Sequence, residues 1–306
     1  MKALTVMKIG GNVIDDPVAL KAFLREFAAL EGPRILVHGG GKLATRLAER
    51  LELEVRMVDG RRITDKGMLD VVTMVYAGLI NKQLVAGLQA AGCNAIGLSG
   101  ADGNVITARR RSSEPIDYGF VGDIERVDAA LIVRLLDAGL VPVFPAIMHD
   151  GKGTLLNCNA DGVAAAVALA MTTQAPVDLV YCFEKPGVLR DPEDEGSVIG
   201  EITADSFAAL RADGTVSKGM IPKIESAMKA VEAGVRSVTI RSSARLTDGI
   251  GTVIRQAADG AATNRMAANG AAAEGPAEET AEETADIDGT DSGKPRTKET
   301  AHSEES

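Results

Sequence analysis

The chain has 306 residues, 45% of them apolar, which is enough for one large or two small domains with a real core. It has no Trp, only six Phe and three Tyr, and a net charge of −10, so aromatic stacking platforms and basic faces for nucleic acid are excluded. The charge is uneven: residues 259–306 hold twelve Asp and Glu against four Lys and Arg, which leaves the remainder near −2.

Short apolar runs alternate with longer amphipathic ones. Leu4–Ile9 is predicted as a strand, Val18–Ala29 as a helix on Leu20, Phe23, Leu24 and Phe27, and Arg34–Val37 as a second strand. Leu43–Leu51, Met68–Val75 and Ile80–Ala91 have helical spacing, and Ala95–Leu98 is a strand. Ile106–Asp123 is polar with scattered β-formers and is expected to make a hairpin excursion. Asp128–Ala138 is a helix, Val141–Ala146 a buried strand, Ala160–Met171 an Ala-rich helix and Val177–Cys182 another strand. Glu193–Gly196 is an acidic turn between Leu189 and Val198. Helices over Ser206–Asp213 and Met220–Ala233 precede the strand Ser237–Ile240. Strands alternating with helices of about 10–15 residues predict βαβ units and a mostly parallel sheet covered on both faces. Ligands gather at the carboxyl ends of such strands, where most of the glycine turns fall.

Residues 261–306 contain no Phe, Tyr, Trp, Leu or Val and cannot bury enough surface to offset chain entropy. Residues 1–258 are therefore expected to form the folded domain and 259–306 a disordered acidic tail, more simply an inert extension than an interaction segment. Cys93, Cys158 and Cys182 show no metal or disulfide pattern and suit a reducing cytoplasm. Leu4–Met7 is too short for a signal peptide's apolar core, and no apolar run reaches the ~20 residues of a membrane span.

Five motifs carry chemistry. Lys8-Ile9-Gly10-Gly11 ends the first strand; a lone lysine there would simply snorkel, but beside a Gly turn it is aimed at a phosphoryl group held by backbone N–H donors. Val37-His38-Gly39-Gly40-Gly41 removes every side chain between strand and helix, so an anion can reach the backbone and the helix dipole. His38 is expected to be a hydrogen-bonded structural residue. Gly41-Lys42 is not a P-loop, because Leu36 stands where the first glycine belongs and Leu43 where Ser or Thr would meet Mg²⁺. Asp59-Gly60-Arg61-Arg62-Ile63-Thr64 offers two arginines, one to grip a carboxylate and one for solvent. Asn157-Cys158-Asn159-Ala160-Asp161 exceeds what helix capping needs, so Asn159 or Asp161 caps and the others are free for ligand; Cys158 is assigned to packing. In Gly219-Met220-Ile221-Pro222-Lys223, Pro222 opens a helix and Lys223 opposes its dipole, which calls for an anion between them.

In this order the five motifs resemble the amino acid kinase family from Met1 to about Ile254. The resemblance implies a three-layer αβα sandwich on a mostly parallel sheet, with acyl amino acid bound by the N-terminal half and ATP by the C-terminal half. It implies transfer of the γ-phosphoryl of ATP, carried with Mg²⁺ and no protein metal site, to the side-chain carboxylate of N-acetyl-L-glutamate. By that resemblance Lys8 and Lys223 flank the phosphoryl and Asp161 holds both lysines. Gly40 and Gly41 donate backbone N–H groups, Arg62 binds a substrate carboxylate and Asn157 its other polar groups. Gly10, Gly11, Phe183, Glu184, Gly187, Val188, Ser217 and Lys218 meet the nucleotide.

Two departures bear on substrate contacts. Val180–Gly187 replaces the family's usual Asp-Val-x-Gly at the strand end. Ser99–Asp123, with Arg109, Arg110 and Arg111, resembles a branch that acts on N-succinyl-L-glutamate, the alternative acceptor. Only seven residues precede Lys8, which leaves no room for the N-terminal helix of arginine-inhibited hexamers, so a homodimer insensitive to arginine is expected. Kinases of other amino acids or carbamate, and a non-enzymatic amino-acid sensor, are the competing classes; a sensor needs no Lys8, Asp161 and Lys223 clamp.

Overall fold

The computed structural model describes residues 2–58, 60–216 and 220–256; the predicted tail lies outside the described residues. The chain runs β1 (Leu4–Ile9), α1 (Gly11–Asp15), α2 (Pro17–Ala29), β2 (Arg34–His38), α3 (Gly41–Arg50), the hairpin β3 (Met57–Val58) and β4 (Arg61–Arg62), then α4 (Lys66–Val72). A π-helical stretch, Thr73–Ile80, joins α4 to α5 (Asn81–Ala90). Next come β5 (Ala95–Gly97), β6 (Ile106–Arg110), β7 (Val121–Val127), α6 (Ala129–Asp137), β8 (Val141–Pro145), β9 (Ile147–His149), β10 (Leu155–Cys158) and α7 (Ala160–Met171). The remainder is β11 (Val177–Phe183), β12 (Glu201–Ile202), α8 (Ala204–Ala212), α9 (Ile221–Glu232), β13 (Ser237–Ser242) and β14 (Thr252–Ile254).

Eight strands form one sheet in the order β12-β14-β13-β11-β1-β2-β8-β5. Its neighbours pair in parallel except β13 with β14. Helices cover both faces, giving the expected αβα layers. The two-residue period of a strand decides which side chain meets which layer. On β1, Leu4 and Val6 pack with Val163, Val167 and Met171 of α7, while Met7 and Ile9 pack with α2 and α5. Lys8 shares the parity of Leu4 and Val6 and so faces α7. On β11, Leu179 and Tyr181 belong to the α7 side and Val180 and Cys182 to the other. On β2, Leu36 is on the α2 and α5 side, and His38 shares its parity.

The predicted break between helices at 76–79 does not exist. Lys66–Ala90 is one continuous helix of 25 residues, long and apolar enough to cross a membrane by length and composition alone. Its buried residues Met68, Val72, Tyr76, Ile80, Leu84 and Leu88 instead pack into the core. With Leu69, Val71 and Val75, which are also buried, they form a stripe at spacings of three and four, and the π stretch Thr73–Ile80 lies in its middle. The predicted hairpin excursion is present as antiparallel β6 and β7, but it closes with β9 and β10 into a four-stranded barrel. Short α1 and the pair β9 and β10 were not predicted.

Candidate active site

The carboxyl ends of β1, β2 and β11 meet at one place. Lys8, 8% exposed, comes off β1 with its Nζ 2.7 Å from Asp161 Oδ1 in the first turn of α7. Asn159 takes the N-cap, accepting from the backbone N–H of Asp161 and Gly162, which leaves the Asp161 carboxylate for the lysine. Phe183 ends β11 with the same parity as Tyr181, so its ring lies under both cations. Lys223 Nζ is 3.9 Å and Lys8 Nζ 5.6 Å from the ring centroid. Cations over an aromatic face are attracted by its quadrupole. Lys223 sits in the first turn of α9 with Pro222 before it, as predicted. Burial lowers its pKa, the Asp161 charge raises it, and Lys8 lowers it again. Among the described residues the Asp161 carboxylate forms an ion pair with Lys8 alone and reaches Lys223 only through its field.

A cleft of about 610 Å³ opens beside this cluster, with Asp161, Phe183, Lys223, Arg111 and Cys158 on its wall. It shares Arg111, Gly122, Cys158 and Asn159 with an inner cavity of about 180 Å³ that Gly41, Arg62, Tyr76 and Asn157 complete. Arg62, 7% exposed, donates from Nη2 to the Gly41 carbonyl at 3.0 Å and to Thr45 Oγ1 at 2.7 Å. Its Nη1 is buried with no partner among the described residues. Asn157 donates to Thr64 Oγ1 at 3.0 Å, and Thr64 Oγ1 donates to the Arg62 carbonyl. Thr45 and Thr64 thus orient the two predicted substrate ligands. Thr64 closes the arginine motif but was given no role there, and Thr45, an isolated threonine, carries no spacing signal.

Gly40 must be glycine. It is the N-cap of α3 at φ +155°, and a Cβ there would lie 2.2 Å from Ile80 Cδ1 and 3.0 Å from the Tyr76 ring. Gly10 caps α1 beside Lys8, whose Nζ would be 3.9 Å from a Gly10 Cβ, and Gly11 starts that helix. His38 is fully buried: Nδ1 donates to the Gly39 carbonyl at 2.8 Å and Nε2 accepts from Asn81 Nδ2 at 3.2 Å. Burial pushes its pKa down to about 4. It is the neutral structural residue expected. Burial likewise pushes the Cys158 thiol up to about 12, which suits packing.

Some predicted nucleotide ligands are occupied elsewhere. Val188 is buried; its N–H donates to Thr252 Oγ1 and its carbonyl accepts from Ile199 N–H. A Cβ on Gly187 would come within 2.8 Å of Thr252 Oγ1 and Val198 Cγ1, so this glycine packs inside the fold. Both are held in the fold by these contacts. Phe183 is a platform for the lysines. Asp59, Ser217, Lys218 and Gly219 lie outside the described residues. Of the three consecutive arginines only Arg111 reaches the inner cavity, paired with Asp123; Arg110 stacks over Phe120 at 5.0 Å. Among the described residues no three of His, Cys, Asp and Glu converge as metal ligands.

The profile of the amino acid kinase family matches residues 3–242. Acetylglutamate kinase from Phocaeicola vulgatus is 51% identical over 253 residues, covering 83% of this chain and 98% of that protein. A crystal structure from Streptococcus mutans superposes with a TM-score of 0.66 at 30% identity, covering 83% of this chain and 99% of that one. N-acetylglutamate synthase from Neisseria gonorrhoeae, solved with coenzyme A and N-acetyl-glutamate, superposes with a TM-score of 0.70 at 25% identity, covering 84% of this chain and 60% of that one. The glycine turns, the clamped lysines and these matches agree: the chain belongs to the amino acid kinase family.

Proposed function

We propose that this chain transfers the γ-phosphoryl of ATP to the side-chain carboxylate of N-acetyl-L-glutamate, the step of arginine biosynthesis that yields N-acetyl-L-glutamyl 5-phosphate. The observation that carries the proposal is a cation pair, Lys8 and Lys223, beside a cavity that holds Arg62 and Asn157. The identity to acetylglutamate kinase supports the choice of acceptor.

Phosphoryl transfer needs positioning and charge stabilisation rather than covalent catalysis. The acceptor carboxylate is already a nucleophile. One of its oxygens bonds to the γ-phosphorus while the bond to the bridging oxygen breaks and ADP leaves. No proton moves, so a neutral buried His38 and a protonated Cys158 are no handicap. Lys8 and Lys223 neutralise charge on the moving group. Asp161 fixes Lys8, and its negative field favours the charged form of Lys223. Arg62 grips a carboxylate, Asn157 a further polar group, and the N–H groups after Gly40 stabilise oxygens at the α3 terminus. Magnesium, bound to the nucleotide phosphates, would neutralise charge on the ATP; Glu184 and Asp161 are the carboxylates near the lysines. Residues 1–258 serve as one domain, with acyl amino acid in the first half and ATP in the second.

Trapping the acyl phosphate with hydroxylamine tests this directly. Hydroxamate that depends on both ATP and N-acetyl-L-glutamate is expected; its absence refutes the proposal. A second reading, N-succinyl-L-glutamate as acceptor, is favoured by Arg111, which lines the cavity with a buried Nε that has no partner among the described residues. Comparing kcat/KM for the two acceptors decides between them. We also infer a homodimer, for which exposed Met74 and Leu79 on the long helix offer apolar surface, and a reducing compartment, since all three cysteines are free and buried. Gel filtration tests the first.

A further inference from the structure

The π-helical stretch Thr73–Ile80 lies against the site, and one of its side chains reaches the inner cavity. Tyr76 is 6% exposed and lines the inner cavity with Gly41, Arg62 and Asn157. Val72, Val75 and Ile80 around it are aliphatic and pack into the core. Tyr76 brings a hydroxyl to the cavity wall where Val72, Val75 and Ile80 bring none; the stretch's other hydroxyl, on Thr73, does not line the cavity. The Tyr76 ring packs on the Gly40 turn. Its Oη would be 3.9 Å, and Arg62 Nη2 3.8 Å, from a Cβ built on Gly41. Phenol and guanidinium therefore converge on the same backbone position. Arg62 spends Nη2 on the protein, and its buried Nη1 lacks a partner among the described residues. Buried donors with no partner are costly and mark a place where an acceptor belongs.

We propose that Tyr76 is an acceptor-binding residue: its hydroxyl donates to the same substrate carboxylate that Arg62 Nη1 grips, and the π stretch exists to aim it. The inference rests on an acyl amino acid occupying this cavity, as proposed above. A carboxylate offers about four lone-pair sites, so it can take a guanidinium N–H and a phenol O–H together. Burial raises the phenol's pKa, opposed by the Arg62 charge and by a hydrogen bond from Arg62 to the phenol oxygen, so the hydroxyl keeps its proton to donate through the neutral range.

The test is Tyr76→Phe, which keeps the ring on the Gly40 turn and removes only the oxygen. Loss of one hydrogen bond to a charged group should weaken acceptor binding about tenfold. The expected result is a KM for N-acetyl-L-glutamate about tenfold higher, with KM for ATP and Tm unchanged. Titration calorimetry of N-acetyl-L-glutamate alone should show the same loss for the Phe variant. Wild-type hydroxamate formation tests the functional reading; the ratio of variant to wild-type affinity tests this one. Equal affinity of the two proteins overturns the assignment. A drop in Tm with both KM values raised together also overturns it, because that pattern marks a merely structural ring.

Discussion

His38 makes the stability of the glycine turn depend on pH in a calculable way. Its ring bridges the Gly39 carbonyl and Asn81 at the end of β2, and it is fully buried. In the fold its pKa is about 4; in the unfolded chain it is 6.5. A depressed folded pKa means that the unfolded state binds the extra proton first. The contribution of His38 is therefore intact above pH 6.5 and is lost progressively as the pH falls towards 4. The slope in that window is about 1.4 kcal/mol per pH unit, and between pH 7.5 and 5 the loss comes to about 2 kcal/mol. For a domain of this size that is roughly 4–8 °C in Tm. His38→Gln keeps a neutral acceptor within reach of Asn81 and cannot take up the proton. Thermal melts of both proteins at pH 7.5 and 5 isolate the term, since every other titrating group is common to both. The wild type should lose roughly 4–8 °C more than the variant between the two pH values. Parallel losses would refute a neutral buried imidazole and with it the tautomer assigned here.

Three further outcomes follow from the site. Lys223→Ala should lower kcat on the order of 10²–10³-fold while KM for the acceptor changes little, by analogy with loss of one oxyanion-hole donor; steady-state kinetics with an unchanged kcat would remove Lys223 from the mechanism. Asp161→Asn should move the alkaline limb of the kcat profile to lower pH, because Lys223 is active when protonated, burial lowers its pKa and the Asp161 charge raises it. A limb that stays in place would mean Lys223 does not limit activity there. Gly40→Ala should destabilise by about 1–3 kcal/mol in urea unfolding, because its Cβ would lie 2.2 Å from Ile80 Cδ1. Ile80→Val removes that atom, so the double variant should recover part of the loss, and simple additivity would refute the clash.

Much of this was legible in the chain because strands and glycine turns write their positions locally. Leu4–Ile9 matched to the residue, and the ends of β1 and β2 fell where the glycines placed them. Lys8, Arg62, Asn157, Asp161 and Lys223 were singled out because each stands next to a turn or helix start that gives an otherwise ordinary residue a direction, and the structure gathers them around the two adjoining cavities. The long helix was read as two because Ala77, Gly78 and Leu79 leave a gap in its buried stripe, although both flanking segments read as helical. Nothing local in the sequence marks the π stretch, a change of hydrogen-bond pattern inside one continuous helix. Tyr76 was missed for the same reason. β9 and β10 escaped because such short strands are fixed by partners remote in sequence, as His149 is by Thr107 and Asn157 by Val121.

The site itself follows from strand parity. Lys8 and Phe183 lie on adjacent parallel strands, β1 pairing Lys8 with Tyr181 and Ile9 with Cys182. Side chains of like parity on β1 and β11 face the same helix layer, so a lysine at the end of one and an aromatic ring at the end of the other must meet over α7. The first turn of α7 then presents Asp161 to that pair, and the first turn of α9 presents Lys223 across the ring. A one-residue slip of β1 would bury Lys8 among Phe23, Phe27 and Leu84 and put Ile9 against Asp161. Burying an unpaired ammonium costs several kcal/mol, so the cationic site and the register of the central sheet are under one constraint. Lys8→Met tests the cost of that burial: it should abolish turnover while leaving Tm equal to or above the wild-type value, because an apolar chain of similar length replaces a buried cation. A large loss of Tm would refute this and show that the Lys8–Asp161 pair is a net stabiliser of the central sheet.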